Sequence, residues 1–545
     1  MFTIGERRIS VADISAVARR GARVQLSRKP SVLRRIKKSR DQLSAALDRG
    51  EIVYAVNTGV GTHAVFLLSP DQIEQFQENT LRQLCCGTGP PLDEEIVRAS
   101  MLLRAVTLSL GFSAVRQDVV RQLIRLLNAG ITPLVPRYGS VGASGDLIPS
   151  AYIGLALTGD GRATLEGRVM PARRALERAR IPSLRLSYKE GIALINGTTT
   201  MTGTAALVVQ DADTVLRGFL AAAALSVEAL GASPEPYDEW VQRVKGHPGQ
   251  QLVASYLRDL LEASSAVGST EELRRRASDQ RGAGRASETI QSGYSVRCIP
   301  QGVGPMYDAL ESARGVVEME ANSANDNPLI DPDSGRVYHT GSFYGGHVAR
   351  TMDGLKLDLA NLVNWSHALM SVIVDERFSG GLPPALVAEP GINTGFKGMQ
   401  LSLAALTCAV RQIAAPSTTH PVSTEQHNQD IVSLGLHAAL TARDALDCAR
   451  DGVAILLLSA CQAVDLRGTA RGSRTAGQDL RLGKGTRMVY RAVRAMSSFV
   501  KTDRVLEDDI ATVSHSILNG ELPLPPWRPE GSRAGSRARA GAPAR

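Results

Sequence analysis

Gly139-Ser-Val-Gly-Ala143-Ser144-Gly145-Asp146-Leu-Ile-Pro149 places three small residues, Ala-Ser-Gly, inside a glycine-dense segment closed by an aspartate and a proline. Gly145 has no Cβ, so its backbone nitrogen can approach the carbonyl carbon of Ala143, two residues back, without steric cost. Attack there, followed by loss of two waters, makes a five-membered ring that carries Ser144 as an exocyclic methylene. Such a ring is an electrophile, which no standard side chain provides. Gly, Ser, Asp and Pro clusters are also the ordinary composition of turns, so the string alone leaves a plain turn open. A serine nucleophile is the weaker reading: the G-x-S-x-G elbow is absent, because the second glycine follows Ser144 directly.

Further motifs follow in order along the chain. They are Tyr54-Ala-Val-Asn57-Thr58-Gly59-Val60-Gly61, Leu194-Ile-Asn196-Gly197-Thr198 and Tyr294-Ser-Val-Arg297-Cys-Ile-Pro-Gln301. Beyond these come Asn325-Asp326-Asn327-Pro328, Gly341-Ser342-Phe343-Tyr-Gly and Glu425-Gln-His-Asn428-Gln429-Asp430. Together with residues 139–149 they resemble the histidine/phenylalanine/tyrosine ammonia-lyase family, whose members carry the 4-methylidene-imidazol-5-one (MIO) group. The resemblance spans roughly residues 10 to 520. It implies a mainly α fold, a long-helix bundle of the ammonia-lyase (fumarase/aspartase-like) type with a smaller mixed N-terminal region bearing the MIO segment.

The resemblance also distributes roles. Ala143, Ser144 and Gly145 would form the ring, and Asp146 would aid its closure rather than turnover. Tyr54 would be the base that takes the β-proton, in a loop that includes Gly61. A phenol titrates near 10 in water, so neighbouring positive charge or donors are expected to depress it. Arg297 would clamp the substrate carboxylate through two parallel hydrogen bonds. Tyr294 is similar to a second loop tyrosine, usually supplied by a neighbouring subunit. Asn196 resembles the asparagine that bonds the ring oxygen or the substrate carboxylate. Asn325 and Gln429 match polar positions of the amine and carboxylate region, and Phe343 an aromatic beside the ring. Family members are homotetramers with shared sites, so a monomer is expected to be inactive.

The chemistry explains the residue types. Removing ammonia from an α-amino acid requires loss of a weakly acidic β-proton and departure of a poor leaving group. An electrophile that takes up the amine makes the nitrogen a better leaving group, which is covalent catalysis with the polarity reversed.

Substrate choice rests on Gln83-Leu84 and Gln429. Histidine-specific members carry Ser-His at the first pair and glutamate at the second. An imidazole would therefore lose polar partners here, and sites of this kind discriminate strongly against mismatched groups. Tyrosine members carry His-Leu at 83–84 and phenylalanine members Phe-Leu; Gln-Leu matches neither. Gln83 can donate or accept, which favours a para-hydroxyl slightly. The expected reaction is deamination of tyrosine or phenylalanine to the trans-cinnamate-type acid. A 2,3-aminomutase using the same ring and a histidine ammonia-lyase stay open as alternatives. Val60 and Ser342 replace an aromatic and an asparagine common in the family, the first at the loop whose closure separates lyase from mutase.

Composition agrees with a large helical enzyme. The chain has 545 residues, rich in Ala, Leu and Val, and only 4% are aromatic, which suits close-packed helices. The boundaries expected are 1–195 for the base-tyrosine loop and ring-forming segment, 196–480 for the long-helix bundle, 481–524 for a C-terminal helical segment and 525–545 for a disordered tail. Within them, helix is expected across 196–261, 306–321, 352–375, 398–415, 432–464 and 486–522, and a mobile excursion at 264–288. The helix at 432–464 would be about 50 Å long.

The net charge is +8, but Arg528–Arg545 holds five arginines and one glutamate, so half of the excess sits in a segment too poor in apolar residues to order itself. No nucleic-acid signature accompanies it, and no nucleic-acid partner is expected. The six cysteines, two adjacent at Cys85-Cys86, show no metal or disulfide spacing, and no metal is expected. The opening lacks signal-peptide form and the apolar run Val453–Ala460 is too short for a bilayer. A cytoplasmic protein with no membrane contact is expected. A non-catalytic relative would show damage to the ring triad, Tyr54 or Arg297, and all are intact.

Overall fold

The computed structural model describes residues 1–271, 274–275, 291–469 and 481–528. It is mainly helical, and the strands among the described residues form four small sheets. The mainly α expectation holds. Two compact units form, each from three stretches: Met1–Gln210, Ser312–Gly354 and Ala415–Arg443 in the first, Asp211–Glu311, Leu355–Ala414 and Asp444–Arg545 in the second. The units are discontinuous in sequence, whereas the expected division runs consecutively along the chain. Most of the expected excursion 264–288, and the tail from 529, lie outside the described residues.

In the first unit the helix Glu94–Ser109 is central. Every residue from Ala99 to Ser109 is buried, as a helix surrounded on all faces must be. The helices Val11–Arg20, Gln117–Ala129 and Leu147–Leu157 pack around it. Val11–Arg20 opens with a capping box, in which Ser10 and Asp13 satisfy each other's backbone N–H, and it ends at left-handed Gly21; such caps contribute about 1 kcal/mol each.

The strands position the ring-forming segment. Thr88–Pro91 pairs antiparallel with Pro136–Tyr138, and the chain passes from Tyr138 straight into Gly139. The helix Leu147–Leu157 takes over immediately after Asp146. The segment is therefore strung between two ordered elements. The buried helix Glu190–Ile195 leads into Asn196-Gly197, and the long helix Thr199–Leu230 starts two residues later.

The second unit holds helices whose faces carry small apolar side chains, such as Ala221–Ala224 with no exposed surface. The single helix expected across 196–261 is three: Thr199–Leu230, Glu239–Lys245 and Pro248–Leu260. Gly231 turns left-handed at φ 60 and Pro234 and Pro236 follow, which lack the N–H to continue the ladder. The later helices Ile299–Ala321, Gly346–Val374, Lys397–Ile413, Gly435–Thr469, Lys484–Met496 and Glu507–Asn519 match the expected ones, apart from shifted ends and a break at 497–506. Gly346–Val374 is, among the described residues, the one helix long and apolar enough to cross a membrane, and half of its most apolar window is buried inside the protein. A bundle's core helix meets the same length criterion.

Candidate active site

After Tyr138 the backbone turns sharply. Gly142 (φ 81), Ser144 (φ 49) and Gly145 (φ 79) are all left-handed, which for serine stores about 1 kcal/mol or more. The Gly145 N–H reaches the Gly142 carbonyl at 3.4 Å, so Ala143 and Ser144 form the tip. Gly197 closes on this turn from the other side. The Asp146 N–H donates to the Gly197 carbonyl at 2.8 Å, and the Gly197 N–H donates to the Ser144 carbonyl at 3.3 Å. A Cβ at Gly145 would sit 2.2 Å from the Gly197 oxygen, so contact and conformation both require glycine. A tight left-handed turn whose Gly145 nitrogen makes only a long 3.4 Å bond fits ring closure onto Ala143.

Asp146 is fully buried behind the turn. Its carboxylate accepts from Ser140 Oγ at 3.1 Å and from the Met201 N–H at 2.7 Å. Burial pushes the carboxyl up to about 6, against the pull of those donors and of Arg104. It is thus an anion near its titration point at neutral pH, suited to act as a base.

Polar groups surround the tip. Gln429 donates from Nε2 to Ser144 Oγ at 3.4 Å, while its Oε1 accepts from Thr424 at 2.7 Å. It is carried by a strained loop in which Glu425, Gln426 and His427 are all left-handed (φ 47, 53 and 67). Asn196 and Asn325 are each 2% exposed, and both side-chain carbonyl oxygens lack a hydrogen-bond partner. Unsatisfied buried acceptors are costly unless something else uses them. Phe343 is half-buried.

Tyr54 lies in a loop pinned by Asn57, which accepts from the Val53 N–H at 2.7 Å and donates to the Glu51 carbonyl at 2.9 Å. The Tyr54 hydroxyl oxygen accepts from the Gly61 N–H at 3.0 Å, and its backbone N–H donates to His339 Nε2 at 3.3 Å. A cleft of 570 Å³ opens here, lined by Ile52, Tyr54, Thr58, Asn327 and His339 among others. The expected depression of the phenol is not found within the chain. Burial pushes Tyr54 above its usual value and the Glu425 carboxylate adds to the rise; only the Gly61 N–H opposes them. Neutralising Glu425 removes one of the two upward pushes. Glu425→Gln should therefore move the acid limb of kcat/KM to lower pH, read from a full pH–rate profile. An unmoved or raised limb would separate Glu425 from the Tyr54 titration.

The remaining residues are placed as follows. Gln83 is exposed and Leu84 half-buried at the C-terminal end of the helix Ile73–Leu84. Tyr294 and Arg297 belong to the second unit. Their short helix Tyr294–Arg297 is fixed through its backbone, because Trp365 Nε1 donates to the Ser295 carbonyl at 2.8 Å and the Tyr237 hydroxyl donates to Val296 at 2.6 Å. The Arg297 guanidinium lies 4.7 Å from the Tyr294 ring centroid and donates to the Gln291 side chain. Its Nε has no partner. Tyr294 is 71% exposed.

His339, Glu425 as a neighbour of Tyr54, and Arg104 beneath Asn196 join the site only through the fold. The only signal for Arg104 was a lone cation in the run Met101-Leu-Leu-Arg104-Ala-Val. No group of three or more His, Cys, Asp or Glu able to hold a metal occurs among the described residues.

The chain belongs to the aromatic amino acid lyase family, whose model matches residues 9–495, and with it to the MIO-containing ammonia-lyases and aminomutases. It is 37% identical over 514 residues to histidine ammonia-lyase of Gloeobacter violaceus, covering 94% of this chain and 95% of that protein. Phenylalanine aminomutase of Pantoea agglomerans matches with a TM-score of 0.90 at 35% identity, over 95% of this chain and 99% of that one. Tyrosine aminomutase of Streptomyces globisporus matches with a TM-score of 0.90 at 32% identity, over 96% and 97%.

Proposed function

We propose that the protein deaminates an aromatic L-amino acid, tyrosine or phenylalanine, to the trans-cinnamate-type acid and ammonia, using an MIO group formed from Ala143, Ser144 and Gly145. The observation that carries this is the left-handed Ser144 clamped between Gly142, Gly145 and Gly197. The group supplies an electrophile for the substrate amine. Arg297 pairs with the substrate carboxylate through its forked donors. Tyr54 takes the β-proton, and the Gly61 N–H at its oxygen stabilises the phenolate. Gln429, Asn196 and Asn325 offer donors and unpaired acceptors to the polar end of the substrate, and Phe343 offers an apolar surface.

The exposed Tyr294 supports a homotetramer in which neighbouring chains complete each site and a monomer is inactive. The six free cysteines fit a reducing, cytoplasmic setting.

Gln429 supports a phenyl or phenol ring over an imidazole, because its neutral amide replaces the glutamate that histidine members place there. The likeness to two aminomutases over nearly the whole chain favours a second reading, in which the amine re-adds at the β-carbon before release. The deciding experiment incubates the purified protein separately with L-Tyr, L-Phe and L-His, following absorbance and chiral chromatography. An unsaturated aromatic acid with free ammonia is expected. A β-amino acid as the main product would establish the mutase, and turnover of L-His alone would overturn the aromatic assignment.

Gln83 gives a sharper test of the ring substituent. Gln83→His should raise the preference for tyrosine over phenylalanine several-fold, measured as the ratio of kcat/KM values. An unchanged ratio would mean that this exposed side chain does not read the ring.

A further inference from the structure

Arg104 is the largest fully buried side chain among the described residues, at 1% exposure, and no step above uses it. Desolvation lowers its guanidinium to about 10, and Asp326 and Asp146 draw it back up, so it stays a cation at neutral pH. Asp326 is in turn bridged to fully buried Lys189 at 2.6 Å. A charge buried in an apolar helix is retained only where its contacts repay its burial.

Those contacts converge on one place. Arg104 donates from NH1 to the Asn196 carbonyl at 2.7 Å and to the Ala193 carbonyl at 3.2 Å, and from NH2 to Thr199 Oγ1 at 3.2 Å. They gather the end of the helix Glu190–Ile195 and the start of the helix Thr199–Leu230, with Gly197 between them. Gly197 is the residue that grips the turn, through its N–H on the Ser144 carbonyl and its carbonyl on the Asp146 N–H. A Cβ at Gly197 would lie 2.3 Å from Asn325 Oδ1 and 3.0 Å from Arg104 NH2, so Asn325 and the guanidinium together back Gly197.

We infer that Arg104 is a positioning residue for ring closure: it holds Gly197 against the Ser144–Asp146 backbone, so that the Gly145 nitrogen meets the Ala143 carbonyl carbon. This rests on the reading that the ring forms. In closure, a bond forms between the Gly145 nitrogen and the Ala143 carbon. The Ala143 oxygen leaves as water with the hydrogens of the Gly145 and Ser144 nitrogens, and the Ala143 carbon becomes doubly bonded to the Ser144 nitrogen. A second water takes the Ser144 hydroxyl and its Cα hydrogen, leaving the methylene. No oxidant or reductant is required. Asp146, one residue away, can carry protons between these atoms.

The test is mass spectrometry of newly synthesised chains, because the deficit of two waters reports the ring without any substrate. Ser144→Ala supplies the uncyclised reference. Arg104→Met keeps the bulk and removes charge and donors; Arg104→Lys keeps the charge but not the fork. The expected result is a full deficit in the wild type, maturation slowed about tenfold or more in Arg104→Met, and partial rescue in Arg104→Lys, with circular dichroism showing a native fold. Unslowed maturation in folded Arg104→Met overturns the proposal. If Arg104→Met does not fold, Thr199→Val decides: it loses only the NH2 contact, and a maturation rate equal to wild type overturns the proposal while a slower one supports it. A wild-type chain of full mass would instead remove the reading that the ring forms.

Discussion

Replacing Ser144 by alanine should leave a folded protein that has lost nearly all activity. Alanine has no β-hydroxyl to eliminate, so the methylene cannot form and the electrophile is gone. Loss of a covalent catalyst of this kind costs roughly 10³–10⁶ in kcat. The structural cost is small, since Ser144 is half-buried and its hydroxyl receives a single long bond, 3.4 Å from Gln429. The thermal midpoint should move by only about a few degrees. Turnover with the proper substrate, read beside a melting curve, separates the two effects. Wild-type-like rates would remove Ser144 from the chemistry.

Tyr54→Phe should do the opposite to the two halves of the site. The ring should form normally, because Tyr54 is no part of the turn at 142–146, while kcat falls about 10²–10⁴-fold, the range of a general base. The lost hydroxyl also leaves the Gly61 N–H, now bonded at 3.0 Å, without its acceptor, at about 1–3 kcal/mol if water does not replace it. A kcat within tenfold of wild type, with the two-water deficit intact, would assign the β-proton to another group.

The tight turn at 142–145 was legible in the sequence because its small residues and glycines allow little else. The structure places Gly142, Ser144 and Gly145 in left-handed conformations; the ring itself remains the proposal. The long helices were legible too, since their apolar runs have no competing pattern. Their interruptions at Gly231 and at 497–506 were missed, being decided by a few turn residues inside otherwise helical composition.

Long-range contact was the least legible layer. Arg104 and Asn196 stand 92 residues apart, and no local pattern says that one guanidinium will bind the carbonyl next to Gly197. The raised titration of Tyr54 belongs to the same class. It follows from burial and from Glu425, which only the fold brings near. The left-handed run at 425–427 contains no glycine that would have announced it. The make-up of the two compact units, each drawn from three stretches of chain, has no local sequence signal either.

Ring formation is read most directly from the mass of the wild-type proteolytic peptide that contains residues 139–149. That peptide should be lighter than its sequence by two waters, with the loss located by fragmentation to Ala143, Ser144 and Gly145. A peptide of full sequence mass, from protein that is folded and turns over an aromatic amino acid, would contradict it.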